Sequence, residues 1–280
     1  MKDKSKFFFI SNLILFTFLF SGCISNIPTP NERKANALSL VDNNKNIAQK
    51  DIQTTEFNLF SLQEISDTCK NNMKIYIEGD GLSWISRSEI SSNPTPINPI
   101  GLKLMLRDNS TCKVYIARPC QYVNSNICEE KYWTSYRFNT KVIQSYNEAL
   151  NNLKKDYPNS KFDLVGYSGG GAVVTLLAAS RNDTNSITTI AGNLDINKWV
   201  EIQNISPLIG SLNPANFTKN LENIKQHHLL GIDDKIVPKE VFLSYQSKFE
   251  KKDNISYSFY EATHNCCWED IYTKYLIEKE

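Results

Sequence analysis

Apolar residues follow two spacings along this chain. Short apolar or alternating runs over residues 74–77, 112–117, 162–165, 186–191, 228–231 and 255–260 predict strands. An earlier strand is expected over 57–62. Between the runs the spacing turns helical. Val142, Ile143, Tyr146, Ala149, Leu150 and Leu153 share one face of a segment from 141 to 154, which Pro158 closes. An Ala- and Val-rich helix is predicted over 171–180, another from about 238, and an amphipathic segment ends the chain. Prolines 94, 96 and 99 exclude a helix interior over 93–99. Strand and helix alternate, so the expected class is α/β, with a mostly parallel central sheet and helices on both faces.

Upstream of residue 57 the pattern changes. Lys2, Lys4 and Lys6 precede a run over 7–20 broken only by Ser11, Asn12 and Thr17. That is the layout of a signal peptide, and it falls short of the roughly 20 apolar residues a membrane helix needs. Phe20-Ser-Gly-Cys23 resembles the lipobox of bacterial lipoproteins, with Phe20 where Leu is commonest. The resemblance implies cleavage before Cys23, a diacylglycerol on its thiol and attachment to a membrane. With Ile24 in second place, it implies the outer membrane facing the periplasm. The alternative is an ordinary cleaved signal with a chance cysteine. Residues 1–22 are thus read as signal peptide. Residues 23–53, rich in Asn, Lys, Pro and Ser, are read as a flexible tether, and 54–280 as the folded domain.

The formal charge is +1, and the chain after residue 22 carries 28 basic and 29 acidic residues. No basic excess supports a nucleic-acid partner. Export makes disulfides the default for the remaining six cysteines. Cys120 and Cys128 flank a short polar loop and are the first expected pair. Cys69 and Cys112 precede two predicted strands and could form another. Cys266 and Cys267 are adjacent, and their pairing stays open. No C-x-x-C spacing occurs, so no zinc site is expected.

Gly166-Tyr-Ser-Gly-Gly170 fits G-x-S-x-G between a predicted strand and a predicted helix. That context is what a nucleophile elbow requires. The turn sets the Ser168 hydroxyl at a helix N-terminus, with the Gly169 N–H as one oxyanion donor. A serine needs a base, and the chain has three histidines. His227 and His228 belong in or beside an apolar strand and read as structural. His264 follows the last predicted strand, in a loop at a strand end where α/β sheets carry their sites. It also gives the order Ser, acid, His. The acid should follow the strand between Ser168 and His264, where Asp233 and Asp234 lie, with Asp195 the alternative one strand earlier. The second oxyanion donor is expected from Glu78-Gly-Asp-Gly81, with the N–H of Asp80 first and that of Gly81 next.

From about residue 57 the chain resembles the α/β-hydrolase superfamily. Gly231-Ile-Asp-Asp-Lys-Ile-Val-Pro238 looks like that superfamily's G-x-x-D-x-x-V-P acid segment, which implies Asp234 as the acid and Asp233 as a solvated loop residue. Glu78 stands where relatives often have His. Several loops look like those of uncharacterised bacterial α/β-hydrolase-like proteins, often lipoproteins. They include residues 93–96, 117–122, 132–134, 191–195, 210–214 and 266–268. The resemblance implies an α/β-hydrolase fold and a serine hydrolase that needs no cofactor. Its expected substrate is a small carboxylic ester. A peptidase, an acyltransferase and a non-catalytic envelope lipoprotein stay open as alternatives. Tyr122, Tyr132 and Trp133 either line an aromatic pocket near Ser168 or belong to a disulfide-pinned surface loop. Oligomeric state is open.

Overall fold

The computed structural model describes residues 27–66, 69, 71–158 and 161–279. The expected signal peptide and Cys23 lie outside these. Ten strands occur among the described residues, with bounds β1 Ala48–Gln49, β2 Ile52–Gln53, β3 Asn58–Leu59, β4 Ser61–Ile65, β5 Asn72–Ile77, β6 Cys112–Ile116, β7 Lys161–Tyr167, β8 Thr184–Ile190, β9 Lys225–Gly231 and β10 Ile255–Tyr260. The helices are α1 Pro30–Ser39, α2 Ile100–Arg107, α3 Thr140–Asp156, α4 Gly169–Ser180, α5 Ile196–Gln203, α6 Thr218–Leu221, α7 Lys239–Ser247 and α8 Trp268–Ile277.

Eight strands form one sheet in the order β1-β4-β6-β5-β7-β8-β9-β10. β1 with β4, and β4 with β6, run antiparallel; every other neighbouring pair is parallel. β2 and β3 form a separate antiparallel ribbon. Alternation along the strands divides the interior in two. On β5, Met73, Ile75 and Ile77 join the core under α3, α4 and α7. Tyr76 joins the other core, under α1, α2 and α8. The predicted mostly parallel sheet with helices on both faces is therefore present.

The expected tether is corrected from residue 30 onward. Thr29 and Glu32 form a capping box that starts α1. Ala37 and Val41 pack into the second core, and Ile52 into the first. Arg33 is buried and donates from Nη1 to the carbonyls of Asn93 (3.3 Å) and Thr95. Composition misses this because two small apolar residues and one buried guanidinium are enough to dock a polar helix. α2 and α5 were also not expected.

The disulfides are Cys69–Cys112, Cys120–Cys128 and the vicinal pair Cys266–Cys267. The first two are the pairs expected from the sequence. Tyr122, Tyr132 and Trp133 are buried packing groups. Tyr132 meets Phe57 edge-on at 5.0 Å, Tyr122 lies 4.7 Å from Phe60, and Trp133 Nε1 donates to the Ser91 carbonyl at 2.9 Å.

Candidate active site

The parallel strands end together, and the loops leaving β7, β9 and β10 carry Ser168, Asp234 and His264. Ser168 lies directly between β7 and α4, with φ 51° and ψ −117°. A non-glycine residue there stores backbone strain, as a sharp strand-to-helix turn demands. The turn leaves no room at Gly166, where a Cβ would lie 2.3 Å from the Gly170 carbonyl oxygen. The Ser168 N–H donates to the Ile190 carbonyl at 2.9 Å, which ties the turn to β8.

His264 joins the other two side chains. Its Nε2 lies 2.9 Å from Ser168 Oγ, and its Nδ1 lies 2.8 Å from Asp234 Oδ2. Asp234 is buried, and its Oδ1 accepts the N–H groups of Ile236 (2.9 Å) and Val237 (2.8 Å). These bonds leave Oδ2 for the imidazole. The His264 carbonyl accepts from Tyr167 Oη at 2.8 Å and Trp268 Nε1 at 2.9 Å, so ring and backbone are both held.

Asp195 does not reach His264. Its Oδ1 accepts from Asn213 Nδ2 (2.9 Å), and its Oδ2 from Ser244 Oγ (2.7 Å) and Lys248 Nζ (2.9 Å). Burial alone would raise its pKa, but the bonds from Asn213, Lys248 and Ser244 outweigh burial and hold it below the ordinary carboxylate value. It caps α5. His228 is buried within β9 against Thr189, and His227 contacts Ser256 and Tyr275.

The loop after β5 runs beside the elbow. A Cβ on Gly79 would lie 3.4 Å from Ser168 Cβ, and one on Gly169 would meet Asp80 Oδ1 at 2.2 Å. Asp80 thus faces Gly169 with its carboxylate. Two nearly buried guanidiniums hold that carboxylate, Arg118 on Oδ1 at 2.6 Å and Arg137 on Oδ2 at 2.7 Å. Burial pushes the Asp80 pKa up, yet Arg137 and Arg118 together bring it below the ordinary value. The Asp80 N–H has no acceptor among the described residues.

Glu78 has a role that the sequence reading missed. It is buried, and its carboxylate accepts from the N–H groups of Gly79 (2.8 Å), Gly101 (3.0 Å) and Leu102 (3.3 Å) and from Tyr115 Oη (3.0 Å). It supplies the cap that Pro99 cannot give α2. Burial raises its pKa more than these bonds lower it. Among the described residues, no group of three or more His, Cys, Asp or Glu side chains could hold a metal ion.

No family model and no curated protein matches the sequence. Solved structures do match its fold. An esterase from Pyrococcus furiosus superposes with a TM-score of 0.58 at 13% identity, over 90% of this chain and 92% of its own. An α/β serine hydrolase homologue from Coxiella burnetii gives 0.58 at 10% identity, over 82% and 97%. The chain has the α/β-hydrolase fold. An acylaminoacyl peptidase from Pyrococcus horikoshii matches this fold too, with a TM-score of 0.57 at 10% identity; 81% of this chain aligns with 39% of that longer protein. Ser168, Asp234 and His264 occur in that order along the chain, in the loops that follow β7, β9 and β10.

Proposed function

We propose that the protein is a serine hydrolase that cleaves small carboxylic esters through an acyl-enzyme on Ser168. The observation that carries this reading is the unbroken hydrogen-bond chain from Asp234 through His264 to the strained Ser168. Ser168 Oγ attacks the acyl carbonyl while His264 Nε2 takes its proton. Asp234 holds the imidazole tautomer through Nδ1–H and stabilises the imidazolium. The N–H groups of Gly169 and Asp80 receive the oxyanion. His264 returns the proton to the leaving alkoxide. It then deprotonates water, which attacks the acyl-enzyme and frees the acid and Ser168. A binding module would have no need for this connected chain. Turnover of p-nitrophenyl butyrate tests the reading: the wild type hydrolyses it, and Ser168→Ala loses at least about a thousandfold in kcat. Equal turnover by both proteins would contradict it.

Export and lipid attachment through Cys23 belong to the same proposal. Three disulfides support an oxidising compartment. The expected site is the outer membrane facing the periplasm, with the membrane as partner only through the lipid. Cys23→Ser should move the expressed protein from the detergent phase to the aqueous phase.

A further inference from the structure

We propose that Gln121, Arg118 and Arg137 are positioning residues that aim the Asp80 N–H at the oxyanion and set the charge around it. This rests on the Ser168 hydrolase reading. The donor belongs to the peptide unit that joins Gly79 and Asp80. Gln121 is fully buried, and its Nε2 donates to the Gly79 carbonyl at 3.0 Å. In a planar trans peptide the carbonyl and the next N–H point in opposite directions. Fixing the Gly79 oxygen therefore fixes the direction of the Asp80 N–H. The far end of Gln121 is fixed too, since its Oε1 accepts the Arg118 N–H at 3.0 Å.

The Asp80 side chain holds the other edge of this peptide. Arg118 and Arg137 grip its two oxygens, and each is held in turn. Arg118 Nη2 donates to the Arg137 carbonyl, and Arg137 Nε to the Thr134 carbonyl at 2.7 Å. Arg118 also lies 5.1 Å from the Phe138 ring, and Arg137 lies 5.6 Å from that of Trp199. The Cys120–Cys128 disulfide closes the loop that holds Gln121 and anchors it two residues after Arg118. This clamp gives the 117–122 segment a task.

The charges around Asp80 act alongside this geometry. A carboxylate against Gly169 would repel an oxyanion forming there. Two guanidiniums around one carboxylate leave one positive charge, and Arg118 Nε is buried with no acceptor among the described residues. The cluster thus favours negative charge beside two nearly buried guanidiniums, where charges interact more strongly than in water. The oxyanion develops in the transition state and the tetrahedral intermediate and not in the bound substrate, so the effect belongs in kcat.

The test compares wild type, Ser168→Ala, Gln121→Glu, Arg137→Gln and Arg137→Lys on p-nitrophenyl butyrate. Rates are expressed per active site titrated with a fluorophosphonate, which removes the contribution of misfolded protein. The Glu side chain keeps the size of Gln121 but loses the donor when ionised. For Gln121→Glu and Arg137→Gln, kcat per titrated site should fall about 10- to 100-fold, with KM changed less than about threefold. Arg137→Lys keeps the charge and should recover part of the loss. Both variants retaining wild-type kcat per titrated site would overturn the inference, as would losses confined to KM. If wild type itself takes no fluorophosphonate at Ser168, the hydrolase reading fails and takes this inference with it. Labelled wild type with unaffected variants defeats this inference alone.

Discussion

At the scale of residues, the site depends on which hydrogen bonds each carboxylate makes. Asp234 and Asp195 both lie in loops at strand ends, and both are buried. Asp234 spends one oxygen on two backbone N–H groups and gives the other to His264. Asp195 gives both oxygens to Asn213, Ser244, Lys248 and the start of α5. Asp234→Asn should therefore lower kcat by about 10³- to 10⁴-fold, because the amide favours the wrong imidazole tautomer. Asp195→Ala should leave kcat within about threefold but cost about 1–3 kcal/mol of stability through the lost cap and bonds. Ester kinetics and urea melts on the two variants separate these outcomes, and the reverse pattern would move the acid to Asp195. Ser168 and His264 were legible because motif, chain order and scarce histidine converge on single residues, whereas the acid needed the G-x-x-D-x-x-V-P resemblance to favour Asp234 over Asp195. The clamp on Asp80 was not legible. Its contacts span 38 and 57 residues, and no local pattern marks Arg118 or Arg137 as neighbours.

At the scale of elements, the strands were easier to read than the short helices. Buried β-strands show as continuous apolar runs, and α3 shows its apolar face over 17 residues. α2 has eight residues and opens after Pro99, which has no capping side chain. Its cap comes from Glu78, more than 20 residues earlier. Glu78→Ala should leave the N–H groups of Gly79, Gly101 and Leu102 without their acceptor. The expected cost is about 1–3 kcal/mol, read as a lower urea midpoint. An unchanged midpoint would mean that water replaces the carboxylate without loss.

At the scale of the whole molecule, the sheet separates two cores, and β9 threads a neutral histidine into its middle. Burial, aided by the neighbouring His227, pushes His228 down to about 3. The unfolded imidazole titrates near 6.5, so the unfolded chain binds a proton that the native chain refuses. This leaves stability independent of pH above about 6.5 and lowers it steadily as pH falls toward about 3. By pH 5 the loss from His228 alone is about 2 kcal/mol. Melting temperatures at pH 7.5 and 5.0 should fall less in His228→Gln than in wild type. An identical drop would show that His228 does not control acid stability. The sheet and its two helical layers were legible as a whole, while the docking of α1 was hidden by its polar composition.

We propose above all that Ser168 is a nucleophile activated by His264 and Asp234. The most direct test is the intact mass of the protein after exposure to a fluorophosphonate, followed by peptide mapping. One phosphonyl adduct per chain is expected, located on Ser168, absent from Ser168→Ala and strongly slowed in His264→Ala. No adduct on wild type, or equal labelling of Ser168→Ala, would contradict it.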